Sequence, residues 1–288
     1  MKIIIDKHAG FCGGVKKTIK IAENELETNN NVLSLCELIH NPQEIERLEK
    51  NGLKIIDHKD IDEDLKEKFK DSVLITRAHG EKWKYFEQAK KMGFNIIDGT
   101  CSIVARLQKK IENAYREGYQ IIIVGKKHHP EVIGLLDRTE GTARVILNVD
   151  EIGDIDFSKK SALFAQTTIS EELFDSISDE LLEKFNKLDI NKTICKAVLN
   201  RKVKIKEFLK QVNTLLFVGG KNSSNTKALV EYCKTLKSET YHIESEGDID
   251  LNWLDGSNYI GITGSASTPK WLMERIRQYL INKLTINH

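Results

Sequence analysis

The chain has only three prolines in 288 residues and no low-complexity segment. Long flexible linkers are therefore excluded, and any domain boundaries must be compact. No apolar run reaches the ~18 residues of a membrane span, and residues 1–6 are too short for the apolar core of a signal peptide. The formal net charge is only +1, so no global field favours nucleic acid or membrane, and any anion site must be local.

Five cysteines are too few for a disulfide framework in a chain of this length. Without an export signal they are expected to be reduced thiols, and the protein is expected to be cytoplasmic. No C-x-x-C pair is present, although such a pair is common in structural zinc sites. No G-x-G-x-x-G opens a first strand–helix unit and no complete P-loop follows a strand, so neither a dinucleotide nor nucleotide hydrolysis is indicated.

Short β-branched runs alternate with amphipathic stretches along the whole sequence. This pattern predicts an α/β fold with mainly parallel sheets covered by helices. Strands are predicted at 2–5, 32–36, 53–57, 73–76, 94–97, 120–125, 143–148, 161–165, 214–218, 240–244 and 258–263. Helices are predicted near 14–27, 42–51, 81–92, 102–117, 131–138, 170–185, 196–212, 224–237 and 269–283.

Three cysteines recur at similar spacing, each just before a predicted helix. Cys101 lies 89 positions after Cys12 (101 − 12), and Cys195 lies 94 positions after Cys101 (195 − 101). The repeat predicts three similar α/β modules, 1–100, 101–194 and 195–288, the last with a C-terminal helix.

Polar residues follow six of the predicted strands, where open parallel sheets bind their ligands. Helix N-termini at these positions offer backbone N–H groups to phosphate oxygens, and histidines and hydroxyls add donors. The alternative is that the serines and the asparagine are ordinary helix caps. Taken together, the set favours an anion site: His40, His79, His129, Ser223, Ser224, Asn225 and Ser267.

The cysteines fall into two groups. Cys36, inside a predicted strand, and Cys233, in the middle of a predicted helix, are expected to be buried hydrophobes. Cys12, Cys101 and Cys195 precede helices, where the thiolate form is favoured. Three converging thiolates could hold zinc, but a cubane cluster with one open iron is the natural alternative, because that iron can bind substrate as a Lewis acid.

At this point the motifs closely resemble one family, the 4-hydroxy-3-methylbut-2-enyl diphosphate reductases of the non-mevalonate isoprenoid route. They appear in the family's order and spacing from residue 1 to about residue 280. The matching stretches are GFCGGV at 10–15, HN at 40–41, AHG at 78–80, DGTC at 98–101, HPEV at 129–132, QTT at 166–168, IC at 194–195, KNSSN at 221–225 and SASTP at 265–269.

The resemblance implies a trefoil of three modules around one 4Fe–4S cluster held by Cys12, Cys101 and Cys195. The seven residues of the anion site would hold the diphosphate. Glu131 would supply protons, and Thr167 would relay or position them. A reduced ferredoxin or flavodoxin would deliver two electrons one at a time, and the products would be isopentenyl and dimethylallyl diphosphate.

This chemistry needs an acid, because hydroxide is a poor leaving group. Glu131 lies on a strand-end loop next to His129, and the alternative for it is a first-turn carboxylate that complements the helix dipole. The sequence departs from the family pattern at Ser102, where proline is common, and at Val198, where threonine is usual. Other readings are a paralogous cluster reductase acting on another allylic phosphorylated compound, a non-catalytic redox sensor and, more distantly, a zinc enzyme.

Overall fold

The structure, a computed structural model, describes residues 1–29, 31–61, 63–69 and 71–286. The strands are β1 (Lys2–Ile5), β2 (Val32–Leu35), β3 (Leu53–Ile56), β4 (Val73–Thr76), β5 (Asn95–Ile97), β6 (Gln120–Val124), β7 (Arg144–Ile146), β8 (Ser161–Ala165), β9 (Leu188–Asn191), β10 (Thr214–Val218), β11 (Thr240–Ile243) and β12 (Tyr259–Gly264). The α-helices are α1 (Gly13–Thr28), α2 (Pro42–Lys50), α3 (Glu63–Lys68), α4 (Trp83–Lys91), α5 (Ser102–Arg116), α6 (Pro130–Asp137), α7 (Glu171–Lys184), α8 (Lys196–Leu209), α9 (Ser224–Leu236) and α10 (Lys270–Ile286).

The strands form three four-stranded sheets in the described ranges. Their orders are β3-β2-β4-β5, β7-β6-β8-β9 and β11-β10-β12-β1. Neighbouring strands run parallel, with Leu33 opposite Leu74 in the first sheet and Ile122 opposite Leu163 in the second. The predicted fold class of three similar α/β modules with parallel sheets is confirmed, whereas their arrangement as a trefoil around a cluster remains a prediction.

The strands follow one another in the same order in each sheet, except that the last position of the third sheet is taken by β1, from the start of the chain. In the third sheet one of the two edge strands is β1, in which Lys2 pairs with Tyr259 of β12. Residues 2–5 therefore belong to the sheet that the last strands of the chain build. The module boundaries at 100/101 and 194/195 remain predictions.

The chain divides into two compact units. Unit 1 contains residues 1–23, 39–53 and 197–288, and it includes the third sheet and α2. Unit 2 contains residues 24–38 and 54–196, and it includes β2, β4 and β5 of the first sheet and the whole second sheet. Each candidate site residue can therefore be placed in one unit or the other.

Apolar residues at helical spacing attach each helix to its sheet. In unit 1, Leu272, Ile276 and Leu280 of α10 lie one turn apart and pack against Leu216 and Ile262. All five are fully buried, as expected for parallel strands covered by helices. In unit 2, the second sheet is covered in the same way, by a cluster that contains Leu107, Ile111, Ile121, Ile123 and Phe164.

Sequence periodicity does not predict two of the elements, α3 and β9. Helix α3 has only six residues, too few for an apolar period to show. Strand β9 has the sequence Leu-Asp-Ile-Asn and lies at a sheet edge with two exposed residues. An edge strand needs no continuous apolar run, because only one side of it is paired.

Within the described ranges, none of the helices combines the length and the apolarity that crossing a bilayer requires.

Candidate active site

The three spaced cysteines occupy the same position in the three sheets. Cys12 follows β1, Cys101 follows β5 and Cys195 follows β9, and each of these strands is a sheet edge. A helix begins at the residue directly after each cysteine. None of these three cysteines forms a disulfide in the structure, and all three side chains are partly exposed. Cys12 belongs to unit 1, and Cys101 and Cys195 belong to unit 2.

The backbone N–H of each cysteine donates to the loop after the neighbouring strand. In unit 1, the Cys12 N–H donates to the Ala266 carbonyl after β12, at 3.0 Å. In unit 2, the Cys101 N–H donates to the Ala78 carbonyl after β4 at 3.0 Å, and the Cys195 N–H donates to the Thr167 carbonyl after β8 at 2.9 Å. The same contact thus occurs three times, and each acceptor loop carries one of the predicted site residues.

Glu131 and Thr167 form a buried pair in unit 2. Glu131 lies in the first turn of α6 and its side chain is almost fully buried. The Thr167 backbone N–H donates to Glu131 Oε1 at 2.7 Å, and the Thr167 hydroxyl donates to Oε2, also at 2.7 Å. The alternative of a solvated first-turn carboxylate is therefore wrong. Sequence reasoning paired these two residues only through the family resemblance, since 36 positions separate them.

Burial changes the proton affinity of this carboxyl group. Removal from water raises the pKa of Glu131 from its ordinary value of 4.5 to about 7, although the two hydrogen bonds from Thr167 favour the carboxylate and oppose the shift. A carboxyl group in this state can hold a proton near neutral pH and release it to a neighbouring group.

His79 and His129 lie side by side in unit 2. Their ring centroids are 5.6 Å apart in an edge-to-face arrangement. His129 also caps α6, where its Nδ1 accepts the Glu131 N–H at 3.2 Å. Since Nδ1 acts as the acceptor, the proton of the neutral ring is on Nε2. Cap and candidate ligand are thus combined in one side chain, which also fixes the start of the helix that carries Glu131.

The β12 loop, residues 265–268, brings Ser267 to His40 in unit 1. The Ser267 hydroxyl donates to the His40 carbonyl at 3.4 Å and lies 3.2 Å from the Ser265 hydroxyl. The Ser265 hydroxyl accepts from Thr226 of α9 at 2.9 Å. Three segments that are distant in sequence therefore meet at this hydroxyl cluster.

The Gly219-Gly220 pair explains how the β10 loop approaches the same place. A Cβ at Gly220 would lie 2.7 Å from the His40 carbonyl oxygen and 3.3 Å from Pro42. Any larger residue would therefore push the loop away from residues 40–42. The glycines of this loop thus serve a close backbone approach in unit 1.

The KNSSN segment starts helix α9 in unit 1. Ser223 is its N-cap and accepts the Thr226 N–H at 3.2 Å. The capping interpretation is therefore right for Ser223, while Ser224 and Asn225 are the first two helical residues. Their position at a helix N-terminus suits an anion, and ligand roles for all three remain predictions.

The structure separates the remaining two cysteines. Cys233 is fully buried in α9, as predicted, and burial raises the pKa of its thiol to about 12. For Cys36 the prediction is wrong, because β2 ends at Leu35 and Cys36 is a partly exposed residue with φ of +59°.

Cys36 lies beside His58 in unit 2, and with Asp57 the two offer possible ligand atoms within 4.8 Å of one another. The sulfur is 3.6 Å from Nδ1 and 4.0 Å from Nε2 of His58. A sulfur in line with the lone pair of one ring nitrogen would lie much farther from the other nitrogen. The nearly equal distances therefore place the Cys36 sulfur outside both lone-pair directions. Two ligands of a shared metal ion would have a different arrangement.

The structure groups the predicted residues by unit. Unit 1 contains Cys12, His40, Ser223, Ser224, Asn225 and Ser267, and unit 2 contains Cys101, Cys195, His79, His129, Glu131 and Thr167. Sequence reasoning missed a buried ion pair in unit 1 between Asp6 and Arg201, 2.8 Å apart. The available signal was an acidic residue directly after β1 and an arginine inside the amphipathic α8 sequence.

Comparison with known proteins identifies the family. The family profile described as LytB protein matches residues 3–281. A 4-hydroxy-3-methylbut-2-enyl diphosphate reductase from Caldanaerobacter subterraneus subsp. tengcongensis is 38% identical over 278 residues, covering 96% of this chain and 95% of that protein. The protein of the same name from Clostridioides difficile is 37% identical, covering 98% of this chain and 100% of that protein.

Two solved structures agree with this match. One is the (E)-4-hydroxy-3-methyl-but-2-enyl diphosphate reductase described as the terminal enzyme of the non-mevalonate pathway, with a TM-score of 0.74 and 34% identity over 98% of this chain and 99% of that one. The other is an E-1-hydroxy-2-methyl-but-2-enyl-4-diphosphate reductase from Plasmodium falciparum, with a TM-score of 0.85 and 28% identity over 98% of this chain and 88% of that one. Because profile, relatives and structures all span nearly the whole chain, it belongs to the LytB protein family, as its motifs predict, and is an enzyme of the oxidoreductase class.

Proposed function

We propose that this enzyme reductively removes the hydroxyl group of 4-hydroxy-3-methylbut-2-enyl diphosphate and forms isopentenyl and dimethylallyl diphosphate. The observation that carries the proposal is the buried Glu131–Thr167 pair, which joins a protonatable carboxyl group to the loop that holds the Cys195 backbone. Relatives named for this reaction match along nearly the full chain.

Cys12, Cys101 and Cys195 would hold one 4Fe–4S cluster. The donor set fits such a group, because none of the three thiols is in a disulfide and all three are partly exposed at equivalent positions in the three sheets. Three protein thiolates leave one iron for another ligand. When bound, the cluster would supply single electrons and a Lewis-acidic iron for the substrate oxygen.

Glu131 would provide the protons that the reaction consumes. Replacing a hydroxyl by hydrogen takes two electrons and two protons and releases water, with one proton on the departing oxygen and one on the carbon skeleton. Glu131, with a pKa raised by burial, can donate near neutral pH. Thr167 would position this carboxyl group, because its backbone and side chain bind both carboxylate oxygens.

The side chains proposed to hold the diphosphate are neutral hydrogen-bond donors, described here unit by unit. In unit 2, His79 and His129 lie together. In unit 1, His40 and Ser267 meet beside the N-terminus of α9, which carries Ser223, Ser224 and Asn225. Imidazole, hydroxyl, amide and helix N–H donors suit phosphate oxygens without a large permanent charge, in agreement with the near-zero net charge of the chain.

A reduced ferredoxin or flavodoxin would supply the electrons, and the cytoplasmic location inferred from the reduced thiols remains a prediction.

The second candidate function is a paralogous cluster reductase for another allylic phosphorylated compound. The observation that favours it is the departure from the family pattern at Ser102 and Val198. Val198 lies in α8, one turn after Cys195. It lacks the hydroxyl of the threonine that is usual there, and such a hydroxyl could bond to a cluster sulfur and alter the reduction potential of the cluster.

The direct test is an anaerobic product assay. Iron-loaded protein, the diphosphate alcohol and a chemical reductant are incubated together, and the products, which are isomers of equal mass, are separated by chromatography against authentic standards. We expect a mixture of isopentenyl and dimethylallyl diphosphate that Glu131→Gln reduces strongly. Unchanged substrate in the presence of an intact, reducible cluster would reject this substrate and favour the paralogue, and turnover unaffected by Glu131→Gln would reject the proton path.

A further inference from the structure

A buried arginine in unit 1 binds the end of β12. Arg201 of α8 donates from Nε and Nη2 to the Gly264 carbonyl, at 3.1 and 2.9 Å. Its Nη2 also donates to the Thr263 hydroxyl at 2.5 Å and forms an ion pair with Asp6 Oδ2 at 2.8 Å. The Thr263 hydroxyl in turn donates to Asp6 Oδ2 at 2.8 Å. The guanidinium group therefore binds two strand ends at once.

These two strand ends lead directly into the candidate site. Asp6 follows β1 and starts the segment that reaches Cys12, and Gly264 ends β12 and starts the loop that reaches Ser267. The Cys12 N–H and the Ala266 carbonyl connect the far ends of these segments at 3.0 Å. Residues 6–12 and 263–268 thus form a closed arrangement, joined by the ion pair at one end and by the cysteine backbone at the other.

Stability alone does not account for this arrangement. The side chains of Asp6 and Arg201 are only 2% and 9% exposed, and buried ion pairs are often no more stable than apolar replacements. In addition, Arg201 Nη1 is buried without a hydrogen-bond partner among the described residues, a feature that costs free energy. The planar guanidinium group carries several N–H donors in a fixed geometry, so it can hold a carbonyl, a hydroxyl and a carboxylate in one arrangement.

We propose that Arg201, with Asp6, is a positioning residue that fixes Cys12 and Ser267 relative to one another. It acts through the backbone of residues 263–268 and touches neither the diphosphate nor the cluster. The proposal rests on the proposed function, since it takes Cys12 as a cluster ligand and Ser267 as a diphosphate ligand. It goes further by assigning their alignment to one ion pair behind the site.

The test compares Arg201→Lys with Arg47→Lys in the full, iron-loaded chain. Lysine can keep the charge next to Asp6 but cannot bind three groups in a fork. Arg47 is a matched control, because it also forms two carboxylate contacts in unit 1, with Glu23 and Glu44, but belongs to neither segment. Two quantities are measured: the dissociation constant of inorganic pyrophosphate by calorimetry, and backbone deuterium exchange along the chain.

For Arg201→Lys we expect pyrophosphate binding ~10-fold weaker, since small misplacement of ligating groups has effects of this size or larger. Exchange should accelerate in residues 6–12 and 263–268, while α10 stays protected. Arg47→Lys should change neither. Normal affinity, or acceleration spread evenly over unit 1, would overturn the positioning role. Pyrophosphate affinity absent from the unmodified protein would instead overturn the proposed diphosphate site, and the exchange pattern would still report on the two segments.

Discussion

Substitution of Glu131 by glutamine removes the acid while preserving the shape of the site. An amide oxygen can still accept the Thr167 N–H, and the Thr167 hydroxyl can rotate to accept from the new amide. The two bonds of 2.7 Å therefore have counterparts in the variant. General acid catalysis is typically worth ~10²–10⁴-fold, so we expect a loss of turnover in that range, with iron content and pyrophosphate binding retained.

The pH dependence gives a second, independent signature of Glu131. The pKa of about 7 means that the proton-donor form is depleted as pH rises above neutral, so turnover of the unmodified enzyme should fall there. Thr167→Val removes the hydroxyl that favours the carboxylate, so the pKa of Glu131 should rise and the falling limb should move to higher pH. A charge-assisted hydrogen bond of ~1.5 kcal/mol corresponds to a shift of about one pH unit.

Stability should respond to the same group with a defined sign. Between pH 4.5 and about 7, folded protein keeps a proton on Glu131 that the unfolded chain releases. The stability contribution of this proton is therefore complete below pH 4.5 and is lost as pH rises from 4.5 through 7, a loss on the order of 3 kcal/mol. Thermal unfolding at pH 5 and pH 8 should show this loss in the unmodified protein and not in Glu131→Gln. The reasoning about Glu131 fails if the variant turns over normally or has the same pH dependence of stability.

Three further predictions concern separate parts of the molecule. His79→Ala should weaken pyrophosphate binding by a few kcal/mol at most, the cost of one charge-assisted hydrogen bond, and calorimetry against Trp83→Ala, an exposed control, measures it. The Cys36 sulfur and the Glu81 carboxylate raise the pKa of His58 to about 9, so His58→Gln should lower the melting temperature at pH 7. The difference in melting temperature between the variant and the unmodified protein should shrink as pH rises through 9, because the imidazolium charge is lost there. Ile276→Ala should cost ~2–5 kcal/mol in the free energy of unfolding, whereas Ile281→Ala, on the exposed face of α10, should cost far less in a denaturant titration.

Apolar periodicity predicted most of the fold because buried parallel strands have continuous β-branched runs. The strands 73–76, 161–165 and 214–218 are predicted to the residue. The pattern misses β9, because an edge strand tolerates Asp189 and Asn191. It also cannot show that β1 pairs with β12, since this contact joins the two ends of the chain.

The features of the candidate site that have local causes could also be predicted from the sequence, and those that depend on contacts between distant segments could not. Helix starts and cysteine spacing could be inferred from the sequence, since glycine, serine and histidine at strand ends have local causes. The Glu131–Thr167 bond and the Asp6–Arg201 pair could not, because each depends on segments that only the sheet order brings together. Cys36 was misassigned because one residue decides whether a side chain lies inside a strand or in the turn after it.

The central claim is that Cys12, Cys101 and Cys195 hold the cluster, and metal analysis of anaerobically purified protein tests it most directly. We predict brown protein with about four iron and four sulfide per chain. Serine at any one of the three positions should lower the iron content, whereas Cys36→Ser and Cys233→Ser should leave it unchanged. Iron lost only in Cys36→Ser or Cys233→Ser, or zinc in place of iron in the unmodified protein, would contradict the account.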